Sequence, residues 1–375
     1  MTQTWMTFSQ VFDGDSLHDV ASVRIEDGHI AELSEGARAQ TVTQGCLTPG
    51  YLDLQVNGGG GVQLNSDPRP EAMAFVAASL RPFGTVGILP TVITDRPEVL
   101  ETAAQAARAA KGQPGVLGLH IEGPHLAKAR RGTHDPSHIR PFSERTLEIV
   151  QDLRQAEIPV MITLAPEAIS LDQLSRLSQT GAIVSIGHTD ATAEETAAAI
   201  GAGASCATHL FNAMSAMTSR APGAVGGILD AGIPFGIICD GHHVDDRMVA
   251  LALRATKTPG AGFLVSDAMA TVGGPDAFEL YGQTVRLHDG RLLNSEGNLA
   301  GAHITQAEGV QRLVNAIGIS LRDALRMAIT TPAKIIDRHD LAQLIGRSLS
   351  DTVVLGSALE VTMPYDLDSH SDAAE

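Results

Sequence analysis

From Gly50 onward eight short apolar runs alternate with alanine-rich or amphipathic stretches. The runs at 51–56, 85–93, 116–121, 159–164, 182–187, 203–208, 234–239 and 262–266 have the length and composition of buried strands. Helical patterns lie between them near 71–82, 97–111, 144–155, 171–179, 192–200 and 246–256, and two more follow near 305–317 and 321–337. Thr192 with Glu195, and Thr305 with Glu308, are capping-box pairs that predict helix starts. Strict alternation of this kind needs a parallel sheet covered by helices, and eight units predict a (β/α)8 TIM barrel. An open doubly wound sheet is the competing α/β arrangement, and it calls for a phosphate-binding turn after the first strand. The stretch Asn57-Gly58-Gly59-Gly60-Gly61 is rich in glycine but has neither the P-loop spacing nor a G-x-G-x-x-G that opens a helix. The barrel is the better reading.

The ends of the chain follow another pattern. Residues 23–33 alternate around Asp27-Gly28 as a hairpin would, and a β-rich stretch returns at Asp351–Leu355. A small β-sandwich domain formed by both termini, 1–49 plus 340–364, is therefore expected beside a catalytic barrel at 50–339. The insert at 275–300, with hairpin character around Asp289-Gly290, follows strand eight and should overhang the active-site face. The acidic tail, 365–375, reads as disordered.

A net charge of −17 argues against nucleic-acid and anionic-membrane partners. No apolar run is long enough to span a bilayer and no signal peptide is visible, so a cytoplasmic location is expected. The three cysteines, Cys46, Cys206 and Cys239, form no spaced framework and read as small core residues. Cys206 and His209 make a C-x-x-H, but residues three apart on a strand face opposite ways, which argues against shared ligation.

Four of the apolar runs end in an ionisable residue: Glu122, His188, His209 and Asp267. Burying such groups without partners costs several kcal/mol or more. In a barrel they fall at the C-terminal ends of strands three, five, six and eight, where barrel enzymes place their chemistry. One carboxylate and two imidazoles leave a metal an open position for water, and an aspartate facing it is placed to move a proton. One histidine alone would be read as a hydrogen-bonded core residue. Four polar groups at equivalent strand ends point to a metal-dependent hydrolase.

The motifs Gly118-Leu119-His120-Ile121-Glu122-Gly123-Pro124, Ser185-Ile186-Gly187-His188-Thr189, Thr208-His209-Leu210-Phe211-Asn212-Ala213-Met214, Cys239-Asp240-Gly241-His242-His243-Val244-Asp245 and Val265-Ser266-Asp267-Ala268 resemble the amidohydrolase superfamily. Within it they are similar to the N-acetylglucosamine-6-phosphate deacetylase family, over a span from about Thr48 to Ala333. The resemblance implies that Glu122, His188 and His209 hold one divalent metal ion, Zn2+ in the first instance. It makes Asp267 the residue that accepts a proton from water and returns it to the leaving amine, and His134 a helper in polarising the carbonyl. Many amidohydrolases carry His-x-His on strand one for a second metal. Here Gln55 and Asn57 stand in that vestigial second-metal position, and amides are poor zinc ligands.

The resemblance further implies that Arg220 grips the substrate phosphate, with Asn212 and Ala213 as donors to the same group. A guanidinium suits bidentate phosphate contact. His243, Thr133 and the turn Leu299-Ala300-Gly301-Ala302 would complete the sugar contacts. The His242/His243 doublet departs from the family pattern, as does His125, which reads as a pocket-wall or surface histidine. The implied reaction removes the N-acetyl group of N-acetyl-D-glucosamine 6-phosphate, giving D-glucosamine 6-phosphate and acetate, in a homodimer. The alternatives are the galactosamine epimer, an amidohydrolase for cyclic amides or N-acyl amino acids, and a non-catalytic sugar-phosphate-binding member. Strand four lacks the lysine usual in the second, and no ligand is lost as in the third.

Overall fold

The computed structural model describes residues 3–364, so the expected disordered tail lies outside the described residues. The eight apolar runs form one parallel sheet in sequence order: Tyr51–Val56, Thr85–Ile93, Leu119–Glu122, Val160–Leu164, Ile183–Ile186, Cys206–Ala207, Phe235–Ile237 and Gly262–Leu264. The sheet closes on itself where the first strand meets the chain beyond the last. Asp267 N–H donates to the Gln55 carbonyl at 3.0 Å, Asn57 N–H donates to the Ala268 carbonyl at 2.8 Å, and Val56 bridges Ala268 in parallel. The result is a (β/α)8 barrel.

Helices cover the outside at Pro70–Leu80, Pro97–Ala109, Glu144–Gln155, Leu171–Gln179, Ala193–Gly201, Gly223–Ala231 and Asp246–Ala255, followed by Gln306–Arg312. Both expected capping boxes form, Thr192 with Glu195 and Thr305 with Glu308. The helix Gly223–Ala231 has no counterpart in the sequence reading, because its glycines weaken the helical signal. Packing explains one of them: a Cβ on Gly227 would lie 3.1 Å from Thr196 and 3.2 Å from Ala193 of the preceding helix. The stretches expected as helices at 305–317 and 321–337 are helical but each passes through a π turn, Leu313–Ile317 and Arg326–Thr330.

Strands from both termini share one six-stranded sheet, in the order Val361–Thr362, Thr352–Leu355, Val42–Pro49, Gln3–Phe12, Leu17–Glu26, His29–Glu35. Side-chain alternation gives it two jobs. Val11, Leu47 and Val354 pack into the sheet's own core with Phe8, Val23 and Ile30. Their neighbours Phe12, Cys46, Val353 and Leu355 pack against the helices around Ala324–Ala333. The insert after strand eight is a four-stranded antiparallel sheet, Ala277–Leu280, Gln283–His288, Arg291–Leu293 and Leu299–Ala302. Phe278, Leu280, Val285 and Leu292 fasten it to Ile93, Met269 and Ala270 at the mouth of the barrel. Among the described residues no helix is long and apolar enough to cross a membrane.

Phe8 is fully buried in the terminal sheet. Phe8→Ala should cost about 3–5 kcal/mol, read as a lower urea midpoint, since the cavity it leaves cannot fully collapse. A loss under about 1 kcal/mol would show that this sheet does not depend on that core.

Candidate metal centre and active site

The four strand-end residues converge. Glu122 Oε1 lies 3.1 Å from Nε2 of His188 and 3.0 Å from Nε2 of His209, and the two histidine nitrogens are 3.1 Å apart. The His188 Nδ1–H donates to the Arg130 carbonyl at 2.8 Å, which leaves the Nε2 lone pair facing Glu122. Lone-pair atoms this close repel one another unless a proton or a cation lies among them. Ligand atoms about 2.1 Å from a tetrahedral ion are roughly 3.4 Å apart, so the three donors are close to metal spacing. His209 Nδ1 is buried without a partner, which leaves its ring tautomer open to a ligand at Nε2. The residues fit a divalent metal ion. Glu122, His134 and His188 also bring one donor atom each within 4.8 Å of one another, so His134 borders the same centre.

The backbone here is strained in a consistent way. His188, His209 and Asp267 have φ of 49°, 27° and 52°, in the left-handed region that side chains avoid at about 1–3 kcal/mol each. Gly187 precedes His188 because a Cβ there would sit 2.7 Å from Thr163 and 3.0 Å from Thr208. Beneath the centre a buried polar layer ties the strands together. His120 Nδ1 donates to the Leu54 carbonyl at 3.0 Å and its Nε2 meets Thr163 Oγ1 at 2.7 Å. Thr208 Oγ1 lies 2.6 Å from both Thr163 Oγ1 and Ser185 Oγ.

Electrostatics separate the roles of the two carboxylates. Burial alone would raise Glu122, but the hydrogen bonds and charge of His188 and His209 outweigh it and hold the group well below its usual range. Burial, with the negative charge of Glu122, pushes Asp267 up to about 6. Burial, with His188 alongside, brings His134 down to about 3, so its ring is neutral.

A cavity of about 470 Å³ opens above these groups, lined by Glu122, His188, His209, Asp267 and Asn57. Thr133, His134, Asn212, Ala213, His243, Leu299 and Gly301 also face it. The histidine doublet resolves: His243 lines the cavity with Nδ1 2.6 Å from Asp240 Oδ2, while His242 is exposed. Four expected positions lie away from the cavity wall in this chain. Ala300 and Ala302 are buried in apolar clusters, because alternation along Leu299–Ala302 turns only Leu299 and Gly301 to the cavity. Arg220 sits on an exposed loop outside the cavity lining. His125 is neither surface nor cavity wall: it is fully buried, with Nδ1 3.0 Å from the Arg140 carbonyl, Nε2 3.0 Å from Thr146 Oγ1 and its ring edge-on to Phe142. It pins both ends of the loop that carries Thr133 and His134.

The cavity's cationic rim escaped the sequence reading. Lys128, Arg130 and Arg131 line it from that same loop, Arg130 paired with Asp190 and Arg131 with Glu296 of the insert. The cluster Lys128-Ala129-Arg130-Arg131, unusual in so acidic a chain, was the available signal. Cys206 is buried in an apolar cluster and does not line the cavity.

A closed parallel barrel with a carboxylate–imidazole cluster at its C-terminal mouth defines a hydrolase of the amidohydrolase superfamily. No family model matches the chain. The N-acetylgalactosamine-6-phosphate deacetylase of Shewanella sp. (strain ANA-3) is 39% identical over 359 residues, covering 92% of this chain and 90% of that one. The N-acetylglucosamine-6-phosphate deacetylase of Haemophilus influenzae is 34% identical over 317 residues, 83% of this chain and 82% of that one. The crystal structure of N-acetylglucosamine-6-phosphate deacetylase from Pasteurella multocida superposes with a TM-score of 0.88 at 32% identity, covering 96% of this chain and 97% of that one. The chain belongs to the family of N-acetylglucosamine- and N-acetylgalactosamine-6-phosphate deacetylases.

Two outcomes follow from this geometry. Glu122→Gln should lower metal retention after dialysis by more than about tenfold, since even outer-shell changes cost 10–100-fold. Metal content unchanged in the folded variant would remove Glu122 from the donor set. Burial brings His125 down to about 4, so the unfolded chain takes up its proton first as pH falls. Its contribution to stability is full above about 6.5 and is lost towards pH 4. His125→Phe should therefore show a shallower decline in melting temperature between pH 6.5 and 4 than wild type. Parallel declines would contradict the assignment.

Proposed function

We propose that the chain hydrolyses the N-acetyl group of N-acetyl-D-glucosamine 6-phosphate to D-glucosamine 6-phosphate and acetate. The observation that carries this reading is Asp267 facing the Glu122–His188–His209 cluster in one cavity with a basic rim. Glu122, His188 and His209 hold one divalent ion, Zn2+ by their chemistry. When bound, the ion supplies Lewis-acid polarisation and acidifies water at the site. Asp267, with its carboxyl raised to about 6, takes a proton from the attacking water and passes it to the amine as the amide C–N bond breaks. His134 is neutral and buried, and it donates a hydrogen bond to the carbonyl oxygen as negative charge develops there. His243, Thr133, Asn212, Ala213 and the Leu299–Gly301 edge orient the sugar.

Lys128, Arg130 and Arg131 lie at the cavity rim, and with Arg130 and Arg131 paired to Asp190 and Glu296, Lys128 is the cation left to meet a phosphorylated substrate. The barrel, 50–339, is the catalytic unit, and the terminal sheet, 1–49 with 340–364, supports it. A homodimer in the cytoplasm completes the proposal, and the neighbouring subunit is the available destination for the exposed Arg220 loop. A second reading has its own support: the 39%-identical Shewanella relative is an N-acetylgalactosamine-6-phosphate deacetylase. The two substrates differ at one hydroxyl stereocentre. An assay for free amine over both phosphosugars and their unphosphorylated forms separates the readings. Turnover of neither phosphosugar overturns the proposal, and equal turnover of the unphosphorylated sugars overturns the phosphate grip.

Asp267→Asn should leave folding and metal content nearly intact while lowering kcat by about 10²–10⁴-fold or more, because both proton transfers use this group. KM should move far less. A folded, metal-loaded variant keeping more than about a tenth of wild-type kcat would contradict the assignment, since that leaves under about 1.4 kcal/mol for the base.

A further inference from the structure

The amides on barrel strand one do more than leave a second metal out. Asn57 Nδ2 donates to Asp267 Oδ1 at 2.6 Å, and Gln55 Nε2 donates to the same oxygen at 3.1 Å. Gln55 Nε2 also lies 3.2 Å from both oxygens of Glu122. An amide NH2 group between two carboxylates must present its hydrogens to both, because its oxygen would be repelled by both. An amide nitrogen in this position has no lone pair for a metal. Among the described residues no side chain or backbone group donates to Asp267 Oδ2. The main chain is fixed as well: Asp267 N–H donates to the Gln55 carbonyl at 3.0 Å and Ala302 N–H to the Asp267 carbonyl at 3.0 Å. Gln55 and Asn57 are both buried, so these contacts are shielded from competing water.

We propose that Gln55 and Asn57 are positioning residues that clamp Asp267 by Oδ1 and so assign proton transfer to Oδ2. The proposal rests on the reading of Asp267 as the proton carrier. Two donors on Oδ1 draw negative charge to that oxygen and fix the plane of the carboxylate. The remaining oxygen, Oδ2, is left free of such donors on a residue that lines the cavity. In the forward step an O–H bond of the attacking water breaks as Oδ2–H forms. In the second step Oδ2–H breaks as an N–H bond forms on the leaving amine, and the carboxylate returns to its starting charge. Gln55 adds a spacing function, since one NH2 group holds the proton carrier and the ligand Glu122 at a fixed separation.

A double-mutant cycle tests this. Asn57→Leu and Gln55→Met keep side-chain volume and remove the donors. Each is expected to lower kcat by about 100-fold, the scale of a misplaced catalytic group. KM should stay within about 3-fold and metal content should be unchanged. Introduced into Asp267→Ala, measured by single turnover with excess enzyme, each should lose less than about 2-fold more, because a clamp has nothing left to hold. Losses that multiply on the Asp267→Ala background overturn the clamp while leaving Asp267 catalytic. Wild-type kcat in both donor-less variants overturns it too. Asp267→Ala with wild-type kcat overturns instead the proton-carrier reading on which the clamp rests. If Asn57→Leu does not fold, Gln55→Met carries the same cycle.

Discussion

Three lone-pair atoms from three strands meet within 3.1 Å at the mouth of the barrel, and much else in the structure serves to hold them there. Left alone, Glu122, His188 and His209 would be drawn back towards solvent by the cost of leaving water. The closed sheet prevents this. Each residue is carried on a strand end fixed by parallel pairing to its neighbours, and the layer from His120 through Thr163 and Thr208 to Ser185 stiffens the lumen below. Left-handed backbone at His188, His209 and Asp267 is the local cost of aiming those side chains inward. The same closure brings strand one beside the end of strand eight, so the amides of Gln55 and Asn57 reach Asp267.

The barrel was legible because its signal is repetitive. Eight apolar runs alternating with helical patterns admit few architectures, and the observed strands fall on those runs with differences at their ends. The helix Gly223–Ala231 was invisible for the opposite reason. Gly227 suits close packing on Thr196 and Ala193, a tertiary demand that overrides helix propensity. The convergence of Glu122, His188, His209 and Asp267 was legible because polar ionisable groups at the ends of buried runs are anomalous.

The cavity lining was harder to read, because it depends on which way a side chain points. Ala300 and Ala302 share a turn with Leu299 and Gly301, yet alternation sends them into the core. Arg220 stands in a motif whose loop leaves the cavity, whereas Lys128, Arg130 and Arg131 reach it from a loop that carries no strand or long helix to flag it. His125 gave no hint of burial, since its partners, the Arg140 carbonyl and Thr146, lie 15 and 21 residues away in sequence. Charge shows the same division between local and distributed information. A net charge of −17 describes the surface as a whole, while the cavity gathers cations at its rim.

The most direct test of the account is anomalous diffraction from crystals of the purified enzyme, recorded on either side of the absorption edge of its metal. One strong peak per chain is expected, within about 2.0–2.2 Å of Glu122, His188 Nε2 and His209 Nε2, with nothing at Gln55 and Asn57. A peak bound elsewhere, a second ion at Gln55 and Asn57, or no peak in crystals of fully active enzyme would contradict it.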